Sequence, residues 1–259
     1  MTAPVVGPEQ RVRNDGGGTL AEHWTLAGTV RGPLPRRETE ALVEREQATV
    51  ADPIPLGLAA FASVAFTIGT VYAGWFGLAS AFVAIPLAFI YGGIGMFLAG
   101  MWAFRRGNVL AATALTTISC FFGSWAILEL MILNRVVPIA IIGGAPMLGI
   151  ATGPAYVAGI FVLTFWVIVG YLGIAALGEN RLLAGVLLLL SFAFLCLGVG
   201  FWVGGHNWLL AIGGYALIVS ALMAALMSAI IVLNSAMGRE VLPAFRARQA
   251  MPTTRTATT

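Results

Sequence analysis

A chain of 259 residues with 59% hydrophobic and 10% charged residues has a mean hydropathy of +0.92, far outside soluble averages, which makes it a membrane protein. The 14 basic residues are all arginine and sit mostly beside apolar boundaries rather than in one patch interleaved with aromatics, which argues against nucleic-acid binding. Cys120 and Cys196 fall inside apolar runs without metal-ligand spacing, and no HExxH, Walker, GxSxG or CxxC pattern occurs, so no metal, cofactor or enzymatic centre is expected.

Residues 1–51 are polar and rich in Gly, Pro and Arg, with GGG at 16–18 and GPLPRRETE at 32–40. This composition predicts a disordered tail with one short helix around 38–49, and without a basic stretch leading into an apolar run no cleavable signal is expected. DPIPLGLAAF follows at 52–61. Asp52 suits an N-cap, Pro53 the first helical position, and Pro55 still lies in the first turn, so the stretch starts a helix. Leu56 comes next, Gly57 permits close approach, and Phe61 shares its face at i+4. Two readings stand: a helix cap, or the mouth of an anion path, because a helix N-terminus presents free N–H groups to anions.

A bilayer core needs roughly 20 apolar residues per helix. Six segments meet that length, over 56–77, 82–104, 109–133, 155–177, 182–203 and 208–234, separated by FRRGN, LGENR, GGHN and a longer stretch at 134–154. The expectation is an all-α bundle of six transmembrane helices in a membrane domain at 52–243, with a disordered tail at 244–259. If the N-terminus is cytoplasmic, Arg11, Arg13, Arg31, Arg36, Arg37, Arg45, Arg105, Arg106, Arg181, Arg239, Arg246, Arg248 and Arg255 lie inside and Arg135 alone outside. That asymmetry places both termini in the cytoplasm.

The polar inventory within the spans is sparse. Asn108 starts the third segment and Asn234 ends the sixth, while Thr113, Thr116 and Thr117 share one face at i, i+3 and i+4. Those hydroxyls either bond a small polar solute or bond back to their own helix. Tyr91 in the second span is a further polar candidate on a path. Glu129 is the one ionisable group well inside a span; it is either a proton site, as is Asp52, or a carboxylate that reaches the headgroups or pairs with Arg135. The lone His206 lies in a connection without a partner.

Four stretches, DPIPLGLAAF, IYGGIGMFLAG at 90–100, RRGN at 105–108 with TALT at 113–116, and NSAMGREVLP at 234–243, resemble in order and spacing the acetate uptake transporter family, which includes bacterial succinate-acetate permeases and fungal acetate and ammonia-related carriers. The resemblance implies movement of acetate or related short monocarboxylates through the plasma membrane, in some members succinate, by a proton-coupled carrier or an anion channel. It also implies a homo-hexamer with one path per subunit. Carried over by position, the path's apolar constriction is Phe61 and Leu190, with Ile118 where the family has Tyr. Asp52 replaces the signature Asn, Met96 a usual Gln, and Ala103 a typical Glu. The alternatives are a carrier of another small neutral or weak-acid solute, and a membrane sensor or scaffold that no longer transports.

Overall fold

The computed structural model describes residues 51–134, 140–142, 145–147, 153–203, 208–239 and 241–242. All but the last residue of the expected tail at 1–51, the tail at 244–259, the Arg135 partner and His206 lie outside the described residues. Lipid offers no hydrogen bonds, so apolar runs satisfy their backbones internally as helices. Among the described residues six are long and apolar enough to cross a membrane: α1 (Ile54–Tyr72), α2 (Ser80–Arg105), α3 (Val109–Leu133), α4 (Gly153–Ala176), α5 (Arg181–Val203) and α6 (Trp208–Met237). Between α3 and α4 the sequence suggests only a long loop, yet β1 (Ala140–Ile142) pairs antiparallel with β2 (Ala145–Met147), Ala140 opposite Met147.

Three element ends differ from expectation, each for a local reason. The first span stops at Tyr72 rather than 77 because Gly74 takes a left-handed φ of 83°. Its N–H bonds the Val71 carbonyl at 3.0 Å and the Trp75 N–H bonds Thr70 at 3.0 Å, the pattern that closes a helix on glycine. Gly107, at φ 71°, ends α2 the same way, with Asn108 N–H on the Ala103 carbonyl at 3.2 Å. The sixth helix runs past Asn234 to Met237, and the Asn234 side chain instead holds the following chain, accepting from Val241 N–H at 2.8 Å and donating to the Leu242 carbonyl at 2.8 Å.

The second span is not a plain helix. A 3₁₀ stretch, Leu78–Val83, leads into one α-turn, then a wide π stretch over Leu87–Gly95, and an α-helix resumes at Met96. The widening starts directly after Pro86, whose ring removes one backbone donor and crowds the preceding turn. Gly92, inside the π stretch, faces Val64 and Phe122.

Packing follows small residues and hydroxyls. α6 lies on α1, α5 lies on α6 and α4, and α2 pairs with α3. At Gly214 the α6 backbone meets the α1 backbone directly, at Gly69, Tyr72 and Ala73. Ser228 Oγ donates to the Pro55 carbonyl at 2.8 Å, Ser220 Oγ to Val186 at 2.8 Å and Ser191 Oγ to Trp166 at 3.0 Å, so hydroxyls tie α6 to α1, α6 to α5 and α5 to α4. Such bonds contribute about 0.6 kcal/mol each in a membrane bundle. α2 forms an outer wall: 22% of its span window is buried against 56% for α1, and Phe89, Ile90, Phe97 and Trp102 are exposed.

Gly214→Ala forces a methyl into the α1 backbone, and overpacking of that kind costs about 1–3 kcal/mol. The purified variant in detergent is expected to melt several degrees below wild type. Gly77→Ala, with open space at the corresponding position, is expected to melt with wild type. Equal melting of all three proteins contradicts the packing assignment.

Candidate functional site

At the arginine-rich end, Asp52 Oδ1 accepts from the Ile54 N–H at 3.1 Å and stands 3.8 Å from Arg106 Nη1 in the turn between α2 and α3. The helix starts one residue later than expected, with Pro53 at the N-cap and Asp52 just before it; the Asp52 carboxylate still holds the Ile54 N–H and is balanced by a guanidinium across the entrance. Both side chains are about one-third exposed, at 31% and 37%, so the pair contributes little to stability. Pro53 is buried, Pro55 half-buried and Leu56 exposed. Gly57 is buried against α3, where a Cβ would stand 2.6 Å from Leu115 Cδ2. Its missing side chain is what leaves room for Leu115.

One to two turns further in, the buried residues of α1, α3 and α5 meet. Phe61, Ile118 and Leu190 are 2%, 4% and 0% exposed and belong to the same core. Phe61 stacks on Phe122 at 6.1 Å between ring centres, and Phe121 lies 4.6 Å from Phe194, four residues beyond Leu190. Phe121 also meets Phe161 at 5.4 Å and Phe165 at 5.0 Å on α4. Sequence reasoning missed Phe121 and Phe122. The signal was their spacing of three and four residues from Ile118, which puts them on the same side of α3.

Beyond these rings two cavities adjoin through Ile68, Tyr72 and Trp125. One is walled by aromatic and aliphatic side chains including Phe122, Phe194 and Phe201. The other, bounded partly by α2, has Glu129 among its lining residues. Glu129 is half-buried, and among the described residues no ion pair or hydrogen bond to it is found.

Two of the neutral polar candidates, Asn108 and Thr116, are engaged locally. Asn108 Oδ1 caps α3 by accepting from Ala111 N–H at 2.9 Å. Thr116 Oγ1 donates to the Ala112 carbonyl at 2.7 Å, and its methyl fills the space opposite Gly100 of α2. The Thr113 carbonyl accepts a second, longer contact from Thr116 at 3.3 Å. Thr113, Thr117 and Tyr91 are half-buried, with the Tyr91 ring near Gly95. Met96 is wholly buried and Ala103 is packed beside Ala111 and Ala112, so neither position places a polar group near the path.

The pattern of the GPR1/FUN34/yaaH family matches residues 37–245. The chain belongs to that family. Among its relatives, the succinate-acetate/proton symporter SatP of Escherichia coli (strain K12) is 27% identical over 195 residues, 75% of this chain and 95% of SatP. The glyoxylate pathway regulator of Yarrowia lipolytica is 43% identical over 81 residues, and acetate permease A of Emericella nidulans 42% over 77 residues. Those two matches cover about 30% of this chain, and only 29% and 26% of the fungal proteins' own length. A solved structure of the bacterial acetate channel SatP superposes with a TM-score of 0.65 at 24% identity, over 75% of this chain and 98% of that one. The six-helix fold is thus the fold of that channel.

Replacing Asp52 by Asn keeps a side-chain oxygen that can accept from the Ile54 N–H and loses only an exposed ion pair. Asp52→Asn is expected to unfold within about 0.5 kcal/mol of wild type, and Asp52→Ala about 1 kcal/mol below it. Thermal unfolding of the three proteins in one detergent checks the order; an Asn variant as weak as the Ala variant assigns the stabilisation to the Arg106 pair instead.

Proposed function

We propose that the chain carries acetate, or a similarly short monocarboxylate, across a membrane, along a path that passes between α1, α3 and α5. The observation that supports this best is the family match, which runs through all six spans. The relatives named as acetate permease and succinate-acetate/proton symporter point to the same cargo. Within the path, Phe61, Ile118 and Leu190 form the constriction, DPIPLGL forms the entrance, and Glu129 with Asp52 are the charged groups available to a proton-coupled step. The absence of any recognised catalytic motif fits a transporter rather than an enzyme.

Passing an anion through an apolar ring requires stripping its water, and a narrow apolar constriction opposes this by dewetting. Ile118 offers no hydroxyl in exchange. A short carboxylic acid is almost wholly ionised at neutral pH, so movement is easiest where a proton travels with it. The proposal extends to orientation and assembly: both termini in the cytoplasm, supported by the arginine asymmetry, disordered tails at each end, and a homo-hexamer in the plasma membrane, for which the poorly covered α2 face supplies apolar surface. Flux with and without a proton gradient distinguishes a proton-coupled carrier from an anion channel.

Purified protein in liposomes is expected to take up radiolabelled acetate faster than protein-free vesicles, and faster still with an inward proton gradient. No uptake under either condition sinks the proposal. Ile118→Tyr is expected to raise acetate flux by restoring a hydroxyl at the constriction, and Phe61→Ala to admit larger acids. Unchanged flux and selectivity in both variants contradict the placement of the constriction.

A further inference from the structure

We infer that the π stretch of α2 is a spacer that holds Gly92 against the constriction, and that Gly92 is a positioning residue. Its missing side chain sets where the Phe122 ring stacks on Phe61, and so how wide the constriction stands. The consequence for flux rests on the route proposed above; the placement of Phe122 rests on the packing alone.

Burial along α2 reveals what the π stretch does. Its buried positions run Ala84, Ala88, Gly92 and Met96, at a strict spacing of four. A regular α-helix has 3.6 residues per turn, so residues four apart drift about 40° around its axis at each step, about 120° over three steps. Wider turns over Leu87–Gly95 offset that drift and keep the four on one line toward the bundle. Ile90 and Ile94, two residues to either side of Gly92, are exposed instead.

Gly92 faces α1 and α3 at once. A Cβ there would stand 2.9 Å from Val64 Cγ2 on α1, and 3.0 Å from Cδ2 and 3.2 Å from Cβ of Phe122 on α3. Val64 is wholly buried and lies three residues past Phe61, so the glycine abuts both helices that carry the stacked pair. One residue on, a Cβ at Gly93 would stand 3.3 Å from Gly123 Cα, so the α2 and α3 backbones lie close at this level. The Phe122 ring has little freedom to retreat. It stacks on Phe61 at 6.1 Å and lies 5.8 Å from Phe121, which is itself held by Phe161, Phe165 and Phe194 at 5.4, 5.0 and 4.6 Å. A close-packed interior transmits such strain rather than absorbing it. A methyl at Gly92 therefore displaces the Phe122 ring, the Phe121 cluster resists, and the displacement falls on the stack with Phe61, narrowing the constriction.

The full chain in lipid nanodiscs, carrying 4-fluorophenylalanine at position 122, tests the placement, and acetate uptake into liposomes tests its consequence. In Gly92→Ala the fluorine resonance is expected to shift. At saturating acetate the uptake rate is expected to fall about tenfold, the lower end of overpacking strain expressed as a barrier, with the half-saturating concentration unchanged. Gly77→Ala, which adds a methyl to open space before α2, is expected to leave both readings as in wild type. Phe122→Leu removes the ring that the methyl meets, and is expected to restore the rate when combined with Gly92→Ala. A Gly92→Ala protein that does not fold alone is expected to fold in that same combination. An unmoved resonance, an unchanged rate where wild type transports, or a defect in rate or folding that Phe122→Leu does not relieve overturns the inference. A shifted resonance in Gly92→Ala beside a wild type that moves no acetate keeps the placement of Phe122 and removes the transport route instead.

Discussion

The close approach of α6 to α1 is the contact on which the rest of this bundle depends. Apolar side chains gain almost nothing by exchanging lipid for another helix, so association rests on how near two backbones come and on the few hydrogen bonds between them. Gly214 brings the α6 backbone against Gly69, Tyr72 and Ala73, while Ser228 donates to the Pro55 carbonyl at the opposite end of α1. Pinned at both ends, α1 offers its adjoining face to the interior. That face carries Gly57, Phe61, Ala65, Ile68 and Tyr72, which run from the arginine-rich entrance through the constriction to the aromatic-walled cavity. One helix contact thus sets the wall of the whole path.

The other walls are positioned differently. α1 and α3, and α3 and α5, meet through side chains rather than through backbones, and the space between them is filled by rings. Aromatic rings with few rotamers hold a gap of fixed size while presenting almost no hydrogen-bonding capacity. Four hydroxyls that might have compensated are engaged in their own helices: Ser63, Thr67, Thr116 and Ser119 donate to carbonyls three or four residues back. Selection along such a path acts on how readily a solute sheds water, more than on what the protein offers in return.

Charge is confined to the ends. Asp52 is not a bare acid at the mouth: it is committed to the first turn of α1 and faced by Arg106 across the entrance. The pair links the start of α1 to the turn that ends α2, where Gly107 closes the helix and Asn108 opens the next. Glu129 stands toward the opposite end beside Tyr72, so the aromatic interior lies between the Asp52–Arg106 pair and the Glu129 carboxylate.

Much of this was legible in the chain itself. Six apolar runs of bilayer length, broken by charged and glycine-rich connections, determined six helices, because in lipid a backbone has no other way to satisfy its polar groups. Capping chemistry at Asp52 and Asn108 located two helix starts within a residue or two, since those rules act over a single turn. Four things required the tertiary structure. Tyr72 as the end of α1 depended on the backbone sign at Gly74, and the π stretch after Pro86 is a shift in hydrogen-bond register that an unbroken apolar run does not betray. The threonine face on α3 was ambiguous because a hydroxyl bonding its own helix and one bonding a solute look alike in sequence. Above all, the chamber of Tyr72, Phe121, Trp125, Phe194 and Phe201 draws on three helices separated by up to 129 positions in the chain. Local patterning determines that each of these residues is apolar and helical; only the packing of helix against helix decides which of them face one another across an empty space.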